Sequence, residues 1–256
     1  MHFSSPFILA GFGVGVLVGL TGVGGGSLMT PFLIFAGIHP VKAIGTDLLY
    51  AALTKTAGTS LHHRLGNIDW PLLRRLAGGS LPAATAVLIW LWKSGASVTS
   101  PPWILTALGA VLILTGVGLF FQARLSRWAK TKPRIDDACR NRLTILVGAI
   151  IGAAVACTSI GAGSLGALAL IALYPELPAA RLAGTDIAHA VPLALLCGMG
   201  HWFIGSVDPV LLTSLLTGSI PGVLIGSAVA PRIANNHLRT ILGLALCAVG
   251  WQMLLR

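Results

Sequence analysis

The chain has 256 residues, 55% of them apolar and only 9% charged, with a mean hydropathy of +0.87. A soluble domain is roughly 25% charged, so this chain has no surface to show to water. Disorder, a collagen, a disulfide scaffold and a soluble enzyme are excluded together, and an all-α polytopic membrane protein remains. The net charge of +10 does not imply a nucleic-acid partner, because seven of the 17 basic residues sit within 124–142 and read as a cytoplasmic loop.

The first charge-free run spans 3–38. It lacks the basic start of a cleaved signal and continues well past a signal's apolar region. As one straight helix it would be about 54 Å long, against a hydrocarbon core of about 30 Å. Gly22, Gly24, Gly25 and Gly26 lie in its second half, so two shorter helical pieces around an unwound turn are predicted. Gly11, Gly15 and Gly19 recur every four residues and predict a helix-packing face.

Next come 43–61, which contains Asp47 and Lys55, then 76–92 and 94–122. After the basic loop, 143–175 is again over-long and broken by Gly161 and Gly163. The run 182–207 carries Asp186, His189 and His201, and 209–231 and 240–255 complete the chain. Eight hydrophobic segments result, four on each side of the loop. The expected division is 1–123, a first transmembrane repeat; 124–141, the cytoplasmic loop; and 142–256, a second repeat.

The repeat is visible in the residues. Thr21 to Leu28 align with Thr158 to Leu165 at a spacing of 137. At 139, Lys42 falls on Arg181, Gly45-Thr46-Asp47 on Gly184-Thr185-Asp186, His62 on His201, Asp69 on Asp208, Gly79-Ser80 on Gly218-Ser219 and Pro82 on Pro221. Agreement of Lys/Arg, Asp, His and Pro in one register marks a duplicated four-segment unit. If all eight segments cross, the basic residues split eleven to five; if each Gly-broken run dips in and returns, the halves are inverted and the split is thirteen to three. The positive-inside rule prefers the second arrangement, and inverted repeats are common in transporters.

Glycine-interrupted segments at matching places of two repeats point to a transporter binding site. The candidate substrate-binding residues are therefore Thr21, Gly24, Gly25, Gly26 and Ser27 in the first repeat, with Thr158, Ser159, Gly161, Gly163 and Ser164 in the second. Ser27 and Ser164 are placed to cap the following helix, whose first amides bind anions without a full charge. Lys55, an ionisable residue within a membrane segment, is a functional candidate; the competing reading is snorkelling toward the end that holds His62, His63 and Arg64.

Asp47 and Asp186 follow Gly-Thr near the start of their segments, which suggests N-capping, with proton or cation coupling as the functional alternative. His189, three residues beyond Asp186, shares a helical face with it and is the third coupling or gating candidate. The four cysteines form no CxxC or Cys/His ligand spacing, so no metal, cofactor or disulfide is expected. Ala162-Gly163-Ser164-Leu165-Gly166 approaches the G-x-S-x-G elbow of a hydrolase, but the first glycine is missing and the strand–turn–helix context is absent. A non-enzyme is expected.

The run Gly19-Leu20-Thr21-Gly22-Val23-Gly24-Gly25-Gly26-Ser27 leads to Pro31, then to Ala43-Ile44-Gly45-Thr46 and to His63-Arg64-Leu65-Gly66-Asn67-Ile68-Asp69-Trp70. On these residues nearly the whole chain resembles the sulfite exporter TauE/SafE family, also called the toluenesulfonate uptake permeases. The second repeat departs from the pattern, with Ala162 in place of the middle glycine and Leu168 where Pro31 stands. The resemblance implies a multi-pass protein of the bacterial inner membrane that moves sulfite, thiosulfate, sulfoacetate or another sulfur-containing anion. Export is the expected direction, since few ionisable residues are available for coupling; proton-coupled uptake and a passive anion channel are the alternatives. The expected partners are that anion and the lipid bilayer, and a homodimer is compatible with the sequence.

Overall fold

The computed structural model describes residues 5–21, 26–95, 102–131, 136–229 and 235–255, and the regular elements among them are all helices. Before the basic loop come α1 (Ser5–Thr21), α2 (Gly26–Phe35), α3 (Pro40–Arg64), α4 (Trp70–Ser94) and α5 (Pro102–Thr131). After it come α6 (Asp137–Thr158), α7 (Leu165–Leu173), α8 (Ala179–Phe203), α9 (Pro209–Val229) and α10 (Asn235–Leu254). Five of them, α4, α5, α6, α8 and α9, are long and apolar enough to cross a bilayer. Ile150, Leu224 and Ile241 are all more than 60% exposed, a surface suited to hydrocarbon.

Both over-long runs are divided. In the second, α6 ends at Thr158 and α7 begins at Leu165; between them Ser159, Gly161 and Gly163 take positive φ, so the turn needs glycine at two of its positions. In the first, α1 ends at Thr21 and α2 begins at Gly26, and Gly22, Gly24 and Gly25 lie outside the described residues.

Three aspartates begin helices. Asp69 accepts from the Leu72 amide at 3.1 Å, Asp136 from the Ala138 amide at 3.0 Å, and Asp208 from the Val210 and Leu211 amides at 3.0 Å. Asp47 and Asp186 do not. The capping role expected of them is overturned, because α3 already begins at Pro40 and α8 at Ala179, which leaves both aspartates a full two turns inside. Both are buried.

Small residues set the packing, since they let helix backbones approach closely. α1 runs parallel to α9: Gly11 sits on Leu215 and Gly15 on Ser219, where an added Cβ would meet the carbonyl oxygen at 2.6 Å. α4 runs parallel to α6 through Gly148 on Leu76 and Gly152 on Ser80. α3 and α8 are antiparallel, Gly45 lying on Ser206, Gly198 on Leu49 and Gly184 on Asn67. α5 and α10 are antiparallel too, with Gly109 on Gly250 and Gly116 on Gly243. Of the short helices, α2 leans on α3, and α7 lies against α5 as well as α8.

Hydrogen bonds fasten that central pair at both ends. The Asp69 amide donates to the Thr185 hydroxyl at 2.9 Å, and the Asp208 amide donates to the Thr46 hydroxyl at 3.1 Å. Arg181 adds an ion pair to Asp69 at 3.2 Å.

Candidate functional site

Asp47, Asp186 and His189 are buried among apolar side chains. Charged residues are almost never fully buried unless partnered, and an uncompensated ion there costs several kcal/mol. The partners converge from four directions. Asp47 on α3 accepts hydrogen bonds at Oδ2 from the Thr30 hydroxyl of α2 and, at 2.8 Å, from the Ser159 hydroxyl of the α6–α7 turn. Its Oδ1 has no hydrogen-bond partner among the described residues.

Lys55, two turns further along α3, reaches the same turn. Its Nζ donates to the Ala162 carbonyl at 2.8 Å, so the side chain points into the protein rather than snorkelling. The flanking hydroxyls of Thr54 and Thr56 are spent on their own helix, donating to Tyr50 at 2.9 Å and Ala52 at 2.8 Å. Lys55 is thus the group on this stretch that extends across to the turn.

Asp186 on α8 lies near the same turn. Asp186 and Asp47 both lie within Coulombic reach of Lys55. The amides of Gly163 and Ala167 face the Asp186 carboxylate, whose Oδ1 has no hydrogen-bond partner among the described residues. Gly166 is pressed so closely on that carboxylate that a Cβ would collide with it. One turn on, His189 Nε2 and the Ser80 hydroxyl of α4 are 2.7 Å apart.

A cavity of about 190 Å³ opens on this cluster. Lys55, Thr54 and His62 line it from α3, Gly19 from α1, Gly163 from the α6–α7 turn and Ile187 from α8. It is large enough for a small oxyanion and its ordered water, and the Lys55 ammonium is the positive charge in its wall.

The remaining candidates fall into three groups. Thr158 faces its own backbone, its hydroxyl donating to Ala154 at 2.7 Å. Ser164 precedes α7 but makes no side-chain cap, so the capping expected of it is overturned; it is buried, and its amide turns back to the Gly161 carbonyl at 3.4 Å. Thr21 closes α1 and Gly26 and Ser27 open α2, while Gly24 and Gly25 lie outside the described residues. Sequence reasoning missed Thr30, Ser80, His62 and the Ala162 carbonyl. Ser80 had a signal, since Gly79-Ser80 recurs at Gly218-Ser219; a backbone carbonyl has none.

The comparisons with known proteins agree with this architecture. The profile of the sulfite exporter TauE/SafE family matches residues 7–253. The chain is 41% identical to the probable membrane transporter protein YjnA of Bacillus subtilis, covering 98% of this chain and 100% of that protein. It is 27% identical to the probable membrane transporter protein YdhB of the same organism, over 96% and 98% of the two chains. A probable membrane transporter protein of Methanocaldococcus jannaschii is 26% identical over 97% and 94%. No solved structure matches the chain. With a family match over nearly its whole length, helices that suit a bilayer and a buried ion cluster beside a cavity, the chain belongs to the sulfite exporter TauE/SafE family of transmembrane transporters.

Proposed function

We propose that this protein is a secondary transporter of a small sulfur-containing anion, sulfite or an organosulfonate, in the bacterial inner membrane. The observation that carries the reading is Lys55, a cation in the wall of a cavity beside a glycine-broken turn, whose Ala162 carbonyl it holds. Helix termini such as the start of α7 favour an anionic occupant. The substrate-binding set is Lys55 with the turn residues Ser159, Gly161, Gly163 and Ser164 and their first-repeat counterparts Thr21 and Gly24 to Ser27; the coupling set is Asp47, Asp186 and His189.

The halves are inverted repeats. In support, α3 is antiparallel to its counterpart α8 and α5 to α10, whereas the parallel pairs α1–α9 and α4–α6 exchange under the same operation. Each Gly-broken run then enters the membrane and returns to the side it came from, and the chain has its thirteen-to-three charge split with the basic loop inside. The cavity, bounded by the later turns of α3, opens toward the cytoplasm. Two labels test this. Cys139, which is exposed near the start of α6, is expected to react with membrane-impermeant maleimides only from the cytoplasmic side. A tag fused to the C-terminus is expected in the periplasm, and a cytoplasmic tag removes the inversion.

Direction follows from what travels with the anion. An inside-negative potential favours export of a lone monovalent anion by about 2.3 kcal/mol per 100 mV, so an uncoupled carrier exports. One observation favours proton-linked uptake instead: two buried carboxylates, Asp47 and Asp186, contact the same α6–α7 turn as the binding lysine. Flux in proteoliposomes with sulfite, thiosulfate, sulfoacetate and sulfate is the deciding experiment. Saturable flux that accelerates on preloading the far side is expected of a carrier, and linear flux without counter-transport indicates a channel and defeats the proposal.

A further inference from the structure

The cluster around Lys55 carries more negative than positive charge before any substrate arrives. Its ammonium has two carboxylates in reach, Asp47 and Asp186, both buried. The other described groups of the cluster and its cavity wall are Tyr50 and His62 on α3, His189 on α8, the Thr30 hydroxyl of α2, and the Ser159 hydroxyl, Ala162 carbonyl and Gly163 amide of the α6–α7 turn, none of them a carboxylate or a permanent cation. α4 contributes the Ser80 hydroxyl, and Val223 of α9 is apolar. An anion that engages Lys55 therefore adds negative charge to a site that is already net negative and largely out of water. Such a site is stabilised only if a cation enters with the anion.

The two carboxylates are not equivalent receivers. Asp47 has two hydroxyls donating to one oxygen, which hold its charge without Lys55. Asp186 has no such hydroxyl donor among the described residues, only the Gly163 and Ala167 amides and Lys55, so it is the group that loses most when the ammonium turns to substrate. Resting on the transporter reading above, we propose that each anion bound at Lys55 brings one proton onto Asp186, so that anion and proton move together. The proton is taken from bulk solution by way of the cavity and is carried as the neutral carboxylic acid. For a monovalent anion the loaded carrier gains no net charge, and the membrane potential no longer opposes uptake; an alkaline cytoplasm draws the pair inward.

Linkage fixes the sign. A state that binds one more proton is weakened about tenfold per pH unit as pH rises through the range of uptake. The test uses the full chain in lipid nanodiscs in weakly buffered solution near neutral pH. Thiosulfate, sulfoacetate and sulfate, which do not themselves titrate there, are added in turn, with anion binding read by calorimetry and proton uptake by a pH dye. Close to one proton per bound anion is expected for the native protein. Asp186→Asn, which mimics the protonated acid, is expected to bind the anion with no uptake and little pH dependence, and Asp186→Glu to restore both. Anion binding without proton uptake in the native protein overturns the inference and leaves the transporter reading standing. Uptake that survives Asp186→Asn, or that disappears in His189→Gln instead, overturns the assignment to Asp186. Failure of every anion to bind removes the transporter reading, and this inference with it.

Discussion

Replacing Lys55 by alanine is expected to raise the apparent dissociation constant for the transported anion by roughly ten- to a hundredfold, because a charge-assisted hydrogen bond contributes about 1.5–3 kcal/mol. Lys55→Arg is expected to keep part of the affinity: the charge remains, but the planar guanidinium does not reproduce the ammonium's reach to the Ala162 carbonyl. The alanine change has a second effect. Asp186, which is buried, loses the cation near it, so Lys55→Ala alone also lowers the thermal midpoint. Adding Asp186→Asn to Lys55→Ala separates the two effects. The double variant is expected to regain stability in a thermal-shift assay without regaining anion affinity; unchanged affinity in Lys55→Ala refutes its role.

Gly15→Leu is expected to abolish accumulation of folded protein, whereas Gly13→Leu, two residues away, is expected to leave it almost unchanged. Gly15 rests on α9, and its missing side chain is what admits the Ser219 backbone; an added Cβ would lie 2.6 Å from the carbonyl oxygen. A leucine there pushes the parallel pair apart and loses the contacts of Gly11, Gly218 and Gly222 along the same seam. Overpacking a tight core costs about 1–3 kcal/mol and more where backbone must move. At Gly13 nothing lies within 4 Å of the added carbon, and the side chain projects into open space. Monodispersity of detergent extracts on a sizing column distinguishes the two. Equal behaviour of Gly13→Leu and Gly15→Leu contradicts the packing described.

The membrane class, the break in the second over-long run and the packing role of Gly11 and Gly15 were legible in the sequence, because each depends on local features: a charge-free stretch, paired glycines, a four-residue period. The function of Asp47 and Asp186 was misread for a local reason as well. The charge-free runs suggest that these segments start near residues 43 and 182, but Pro40 and Ala179 begin the helices one turn earlier, so residues that look terminal are interior. The site itself was legible only as an inventory. That Ser159 donates to Asp47 across 112 positions, or that the carbonyl of Ala162 receives Lys55 across 107, is a product of how the α6–α7 turn is seated against α3. No spacing rule reports such contacts. Thr30 was invisible because a single hydroxyl in an apolar run looks the same whether it bonds its own helix, as Thr54 does, or a buried carboxylate.

The parallel pairs have a consequence for how the protein is made. α1 leaves the ribosome first, yet the helix it is shaped to hold, α9, is nearly the last to emerge, and α4 waits for α6. Throughout synthesis of the first half, two glycine-lined helix faces therefore stand in lipid with nothing seated on them. Contacts between positions so distant in sequence form late and slowly, and partly assembled chains with unfilled surfaces are the ones that misassociate. The amino-terminal half inserts as separate helices and becomes a structure only when the carboxyl-terminal half supplies its partners. A ribosome stalled after the basic loop would release a chain whose best available partner is a second unfinished copy.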